Sequence, residues 1–237
     1  MGEGYCPTVA LTARLGGMVE HAPKPNWIDV ERWLTKTVVK PGPEHERALA
    51  TALDRGMPPI EVQPTAGKLL HLLVRMSGAR RVLEIGTLAG YSTIWMAQAL
   101  PDGGRLDTLE YLPEHAEIAR ENIAAAGLED RVGVHVGPAL ETLPTLEGPY
   151  DFVFIDADKQ NNTNYLQWAV RLGRPGTVVV LDNAVWEGAL LDPSMDETNA
   201  PGIIAALELL GGPPFDATVV QTVGGKGWDG FALAVVK

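Results

Sequence analysis

Two unbroken apolar runs, Phe152-Val153-Phe154-Ile155 and Val178-Val179-Val180-Leu181, limit the fold more than any other feature. A strand with one face in water alternates apolar and polar residues. A run without a polar position fits a strand covered on both faces, as in the interior of a parallel sheet. From Arg80 onward, strand-like runs alternate with helix-like stretches. The strands fall at 81–85, 105–110, 132–136, 150–156, 177–182, 216–222 and 230–236. Helices between them fall near 91–99, 113–126, 138–143 and 160–172, with another at about 200–210. The link between the last two strands carries Gly224-Gly225 and Asp229-Gly230 and cannot hold a crossover helix, so that pair is expected to be antiparallel. The pattern predicts a doubly wound α/β sheet with one reversed strand.

Upstream, Trp27, Val30, Trp33, Leu34 and Val38 recur at helical spacing over 27–39, with Asn26 placed to cap the N-terminus. Pro41-Gly42-Pro43 ends that helix, and a second is expected from Glu44 to Arg55, before Gly56 and Pro58-Pro59. A third is expected from Pro64 to Met76, burying Leu69, Leu70, Leu72, Leu73 and Met76. Residues 1–60 therefore read as an arm and helical cap belonging to the same domain as 61–237, with the Gly- and Pro-rich stretch 1–25 as a loose arm.

A length of 237 residues suits one α/β domain. The net charge of −11 disfavours nucleic acid as a partner, because phosphate binding needs clustered Lys and Arg. No apolar run approaches the roughly 18 residues of a membrane span, and Met1 to Ala10 lacks the pattern of a secretory signal. A single cysteine, Cys6, fits a reducing cytoplasm. Small molecules are the expected partners.

The strand ends carry the polar residues. In order they read Glu84-Ile85-Gly86, Glu110, Gly137-Pro138-Ala139, Asp156-Ala157-Asp158-Lys159 and Asp182-Asn183. Turn chemistry favours Asp, Asn and Gly at any one such position. Five in succession point to a ligand site, since doubly wound sheets bind ligands beyond the carboxyl ends of their strands. The turn from Gly86 to Gly90 feeds a helix and is expected to aim free backbone N–H groups at that ligand. Glu110 stands where a nucleotide-binding sheet places an acid for ribose hydroxyls. That alone does not separate NAD from S-adenosylmethionine, since both carry adenosine. A dinucleotide site, however, wants G-x-G-x-x-G, and this segment reads Glu84-x-Gly86-x-x-x-Gly90. A glutamate in the first position would repel a pyrophosphate and suits a cofactor with an amino acid tail. A nicotinamide oxidoreductase stays as the alternative, as does a catalytically silent cofactor-binding protein.

Asp156, Asp182 and Asn183 end neighbouring strands and offer three oxygens without His or Cys, the donor set of Mg²⁺, Mn²⁺ or Ca²⁺. The plainer alternative is a strand-to-loop turn at Asp182-Asn183 and a helix cap at Asp156. Lys159 follows Asp156 by three residues, and a lysine beside a bound cation gives up its proton more readily, as a general base must.

Taken together, Glu84-Ile85-Gly86-Thr87 with Gly90-Tyr91-Ser92, then Asp156-Ala157-Asp158-Lys159, then Asp182-Asn183 resemble the cation-dependent class I O-methyltransferases. That family includes catechol O-methyltransferase and the plant caffeoyl-CoA O-methyltransferases. The resemblance spans roughly 60–237 and implies a Rossmann-like methyltransferase fold with a seven-stranded, mostly parallel sheet whose last strand is antiparallel. It implies that Glu84, Gly86 and Ser92, with Val62, hold the methionine part of S-adenosylmethionine. Glu110 would bind the ribose, Ala139 would lie against the adenine, and Asp158 and Tyr165 would line the cofactor's other side. Asp156 would serve the cofactor and the metal, with Asp182 and Asn183 completing the metal ligands and Mg²⁺ the expected ion. Lys159 would be the general base, Trp186 would line the pocket of an aromatic diol, and the protein would be a homodimer. The arm at 1–25 and the loop 187–199 depart from the family pattern, so the acceptor is left open.

Overall fold

The structure is a computed structural model that describes residues 26–237; the expected arm at 1–25 lies outside them. Strands β1 (Arg81–Ile85), β2 (Arg105–Glu110), β3 (Val132–Val136), β4 (Phe152–Ile155), β5 (Val178–Asp182), β6 (Phe215–Gly224) and β7 (Gly227–Val236) form one sheet in the order β3-β2-β1-β4-β5-β7-β6. The first five pair in parallel, and β7 is antiparallel to both β5 and β6. The expected sheet and its reversed strand are therefore present.

The apolar runs explain the layering. Leu83, Ile85, Val153, Ile155, Val179 and Leu181 face one side, where they meet residues of α6 (Ala139–Thr142), α7 (Asn162–Leu172) and α8 (Ala200–Leu210). Val82, Leu106, Phe152, Phe154 and Val180 face the other, against α3 (Pro64–Ser77), α4 (Tyr91–Ala99) and α5 (Pro113–Ala125). Alternate residues of each central strand thus enter two separate cores, which is why neither run tolerates a polar position.

Several boundaries differ from the sequence reading. Strand β4 starts at Phe152, and the Asp151 side chain just before it forms a clasp, accepting from the Arg80 and Arg81 N–H groups at 2.9 and 3.0 Å and from Arg174 Nη2 at 2.7 Å. The last hairpin turns on Gly225-Lys226 alone, so Asp229 and Gly230 lie inside β7 rather than in the link. Helix α7 is preceded by a 3-10 turn, Lys159–Asn161.

In the helical cap, Asn26 Oδ1 accepts from the Asp29 N–H at 3.0 Å and caps α1 (Trp27–Leu34) as expected. The apolar stripe of α1 points outward, however: Trp27 is 52% exposed and Trp33 61%, whereas Glu31 is buried. Helix α2 (Pro43–Asp54) follows. In α3 the inward face runs Gly67, Leu70 and Val74, while Leu72 and Met76 are exposed rather than buried. Trp95 of α4 decides that orientation, since a Cβ on Gly67 would stand 2.4 Å from its ring. Only glycine leaves room for the indole.

Glu84 is entirely buried on the α4 side of β1. Its carboxylate accepts from Ser92 Oγ at 2.6 Å, Thr93 Oγ1 at 2.5 Å and Thr108 Oγ1 at 2.7 Å. Strand register delivers Thr108 opposite Glu84, and the first turn of α4 delivers the other two hydroxyls. Burial pushes the Glu84 carboxyl from 4.5 up to about 7, against the pull of these three donors. An acid that holds its proton more tightly folded than unfolded contributes stability that is full below pH 4.5 and lost as pH rises through about 7. The loss amounts to roughly 3 kcal/mol. Replacing Glu84 with Gln removes this titration, so the stability difference between wild type and Glu84→Gln should change by that amount between about pH 4 and about pH 8 in denaturant titrations. A difference that stays constant with pH overturns this account.

Candidate active site

Parallel pairing sets Ile85 beside Leu109 and Ile155, and Ile155 beside Leu181. One residue further on, Glu110, Gly86, Asp156 and Asp182 form the next row across the sheet, neighbours about 4.8 Å apart. The Gly86 N–H donating to the Leu109 carbonyl at 3.0 Å, and the Asp156 N–H to that of Ile85 at 2.9 Å, carry the ladder into this row. Above it opens a cavity of about 1210 Å³, roofed by the 58–66 segment, the Asn183–Trp186 turn and the last hairpin.

The turn after β1 is built differently from the sequence expectation. Its amides are mostly taken up within the protein: Gly86 N–H by Leu109, Gly90 N–H by the Thr87 carbonyl, and those of Thr87 and Leu88 by Glu110 Oε2 at 3.3 and 2.8 Å. Gly86 is required for a related reason. At φ 100, a Cβ there would stand 2.0 Å from the Asp156 carbonyl oxygen, so β4 can pass only beside a glycine. Glu84 is likewise not on the cavity wall; Ser92, which holds it, is.

Other residues expected at the cofactor do line the cavity, namely Val62, Gly86, Ser92, Glu110, Ala139, Asp158 and Tyr165. Glu110 Oε1 accepts from the Leu112 N–H at 3.0 Å, which fixes the carboxylate's orientation. Asp158 accepts from Tyr165 Oη and from Asn161 Nδ2, both at 2.5 Å. Burial and that bond to Asp158 raise the Tyr165 hydroxyl above its usual range.

Asp156, Asp182, Asn183, Lys159 and Trp186 also meet at the cavity. Lys159, only 7% exposed, places Nζ 2.8 Å from Asp156 Oδ1. Burial raises the Asp182 carboxyl and the charge of Asp156 raises it further, while Lys159 opposes them. Asn183 has φ 57 and donates from Nδ2 to Asp229 Oδ2 at 2.8 Å, which leaves its amide oxygen available. Two adjacent, half-buried carboxylates and a free amide oxygen fit a hard cation in both donor type and charge. Among the described residues no group of three or more His, Cys, Asp or Glu is placed to hold a metal ion; this set is two acids and an amide. Trp186 has φ 50, and its indole N–H donates to Asp196 Oδ2 at 2.8 Å.

Sequence reasoning missed three contributors. Gly202 of α8 lies against the Lys159 turn, where a Cβ would stand 2.2 Å from the Lys159 carbonyl oxygen. Asp229 holds the Asn183 turn, although the Asp-Gly pair reads as part of a hairpin link. Lys226, at the hairpin tip, lines the cavity and donates to the Glu61 carbonyl. No local pattern marks any of them.

The O-methyltransferase family model matches residues 45–211. A catechol O-methyltransferase from Mycobacterium tuberculosis is 52% identical over 216 residues, covering 90% of this chain and 98% of the relative. Another, from Niastella koreensis, is 50% identical over 189 residues, covering 78% and 86%. The crystal structure of an O-methyltransferase from Bacillus cereus in complex with SAH superposes with a TM-score of 0.86 at 47% identity, covering 89% of this chain and 98% of that one. With the sheet, the row of strand-end acids and these relatives in agreement, the chain belongs to the O-methyltransferase family.

Proposed function

We propose that this protein transfers the methyl group of S-adenosylmethionine to one hydroxyl of a vicinal dihydroxy aromatic, with a divalent cation, Mg²⁺ first and Mn²⁺ or Ca²⁺ as the other ions the donors suit. The observation that carries the reading is the meeting of Asp156, Asp182, the released Asn183 amide oxygen and Lys159 in one cavity. Family membership removes the nicotinamide alternative, and the catechol O-methyltransferases among the relatives support the acceptor class.

In this reading Val62, Gly86 and Ser92 border the methionine part of the donor, and Glu110 accepts from its ribose hydroxyls. Ala139 lies at the adenine, with Asp158 and Tyr165 on the opposite wall. Glu84 acts from behind, by fixing Ser92 and the start of α4. S-Adenosylmethionine supplies the activated methyl group. Asp156, Asp182 and Asn183 would hold the cation, which when bound supplies Lewis-acid and templating chemistry for two adjacent hydroxyls. Lys159 accepts the hydroxyl proton as oxygen attacks the methyl carbon and the C–S bond breaks, leaving S-adenosylhomocysteine. Trp186 borders the acceptor ring, where an indole offers apolar area and a fixed edge. The acids around the cavity hold the positive sulfonium, whose charge disappears in the transfer.

The methyltransferase unit is assigned to 61–237, with the preceding helices as its cap. We propose a homodimer in which the exposed Trp27, Val30 and Trp33 of α1 are covered. A cytoplasmic location is proposed on the single cysteine; no helix among the described residues is long and apolar enough to cross a membrane.

The decisive experiment is a methyl-transfer assay with S-adenosylmethionine and a panel of catechol-type acceptors, with Mg²⁺ or with a chelator. Turnover is expected only with the cation, and only on acceptors carrying adjacent hydroxyls. Equal turnover in chelator overturns the cation, and turnover confined to lone hydroxyls overturns the acceptor class. Asp182→Ala should abolish turnover and leave donor binding, read by calorimetry, intact. Lys159→Ala should lower kcat by roughly 10²–10⁴-fold with little change in acceptor KM; an unchanged kcat removes Lys159 as the base.

A further inference from the structure

Strand β7 runs antiparallel to β5 and pairs Phe231 with Asp182. Past that pair the strands stay joined, because the Ala184 N–H donates to the Gly230 carbonyl at 2.9 Å. The next residue of β7, Asp229, therefore stands beside the turn that carries Asn183 and Trp186. Its two oxygens have different partners. Oδ1 accepts backbone N–H groups from Val185 at 3.2 Å, Trp186 at 2.9 Å and Gly230 at 2.8 Å. Oδ2 accepts from the side-chain amide of Asn183 at 2.8 Å.

A carboxylate only accepts, so it decides which end of the Asn183 amide faces it. The nitrogen turns to Asp229 and the oxygen, the only end able to ligate a cation, is left for the opposite side. The turn itself needs holding. Asn183, Trp186 and Glu187 sit at φ 57, 50 and 52, a region that side chains disfavour and that persists only when surroundings impose it. Three of the four N–H groups on Asp229 come from this turn.

We propose that Asp229 is a positioning residue for the cation site, presenting the Asn183 oxygen beside Asp182 while the same carboxylate fixes the backbone of Trp186 at the acceptor pocket. Ligands to metals are held this way in general, by outer partners whose removal weakens the metal about 10–100-fold. The inference rests on the cation reading above and names the residue that makes Asn183 competent in it.

The test is calorimetric titration of wild type, Asp229→Ala and Asp229→Asn with Mn²⁺ alone, with S-adenosylhomocysteine affinity and melting temperature measured on the same samples. The Asp229→Asn side chain retains an acceptor for the backbone N–H groups but sets a second amide against Asn183. Mn²⁺ should bind about 10–100-fold more weakly to both variants, S-adenosylhomocysteine affinity should hold, and saturating Mn²⁺ should restore most of the turnover. Wild-type uptake matched by the variants, even with a lowered melting temperature, overturns the role of Asp229 alone. No Mn²⁺ uptake by wild type overturns the cation reading and this inference together. Should Asp229→Ala fail to bind S-adenosylhomocysteine, Asp229→Asn decides the question.

Discussion

The hydrogen-bond register of four parallel strands governs everything above it. Ile85, Leu109, Ile155 and Leu181 are the last residues of one rank, so Gly86, Glu110, Asp156 and Asp182 emerge together at the next. Neighbouring parallel strands lie only about 4.8 Å apart, so Asp156 and Asp182 on β4 and β5 repel one another, while Gly86 separates Glu110 from them. A slip of one residue in any strand would send its end residue to the opposite face. The two apolar cores prevent that slip, since every such move would also put core residues on the wrong side.

Each acid in and behind that row is compensated in its own way. Glu84 has three hydroxyls and no charge partner. Glu110 has backbone N–H groups from the turn and from Leu112. Asp156 has Lys159. Asp182 is the exception: burial and the Asp156 charge raise it, Asp229 adds to them, and Lys159 acts against them, with the charge of Lys226 also in reach. A divalent ion would answer this imbalance more completely than a lysine shared between two acids, which is the electrostatic reason for proposing it here rather than at Glu84 or Glu110.

What could be read from the sequence divides along the same line. The strands, the reversed β7, the acids at their ends and Lys159 all follow from local pattern, because a strand's period and its terminal residue are written in a few consecutive positions. Exposure of Trp27, Leu72 and Met76 was not legible, since a helix's inward face depends on its neighbour, for Leu72 and Met76 on Trp95 seated against Gly67. The state of the turn amides was not legible either. Glycine spacing locates a tight turn, but whether its N–H groups meet a ligand or Glu110 is decided by a residue more than twenty positions away. Asp229 was hidden by a dipeptide that ordinarily marks a hairpin and here sits within a strand.

These distances along the chain explain why the motifs describe the Gly86–Ser92 side of the cavity better than the opposite side. Gly86 through Ser92 form one continuous segment, tied to the adjacent strand by Glu110. The far side of the cavity is assembled from pieces remote in sequence. Asp229 reaches back 46 residues to Asn183, Lys226 reaches 165 to the Glu61 carbonyl, and Thr65 donates to Glu31 at 2.7 Å across 34. The first joins a strand to a turn, the second two loops and the third two helices, and none is marked by a local sequence pattern. Substitutions there can reshape the pocket without disturbing the row of strand ends. The shape of that side of the cavity can therefore vary over an unchanged row of strand ends, and reading it requires the assembled cavity rather than any single stretch of chain.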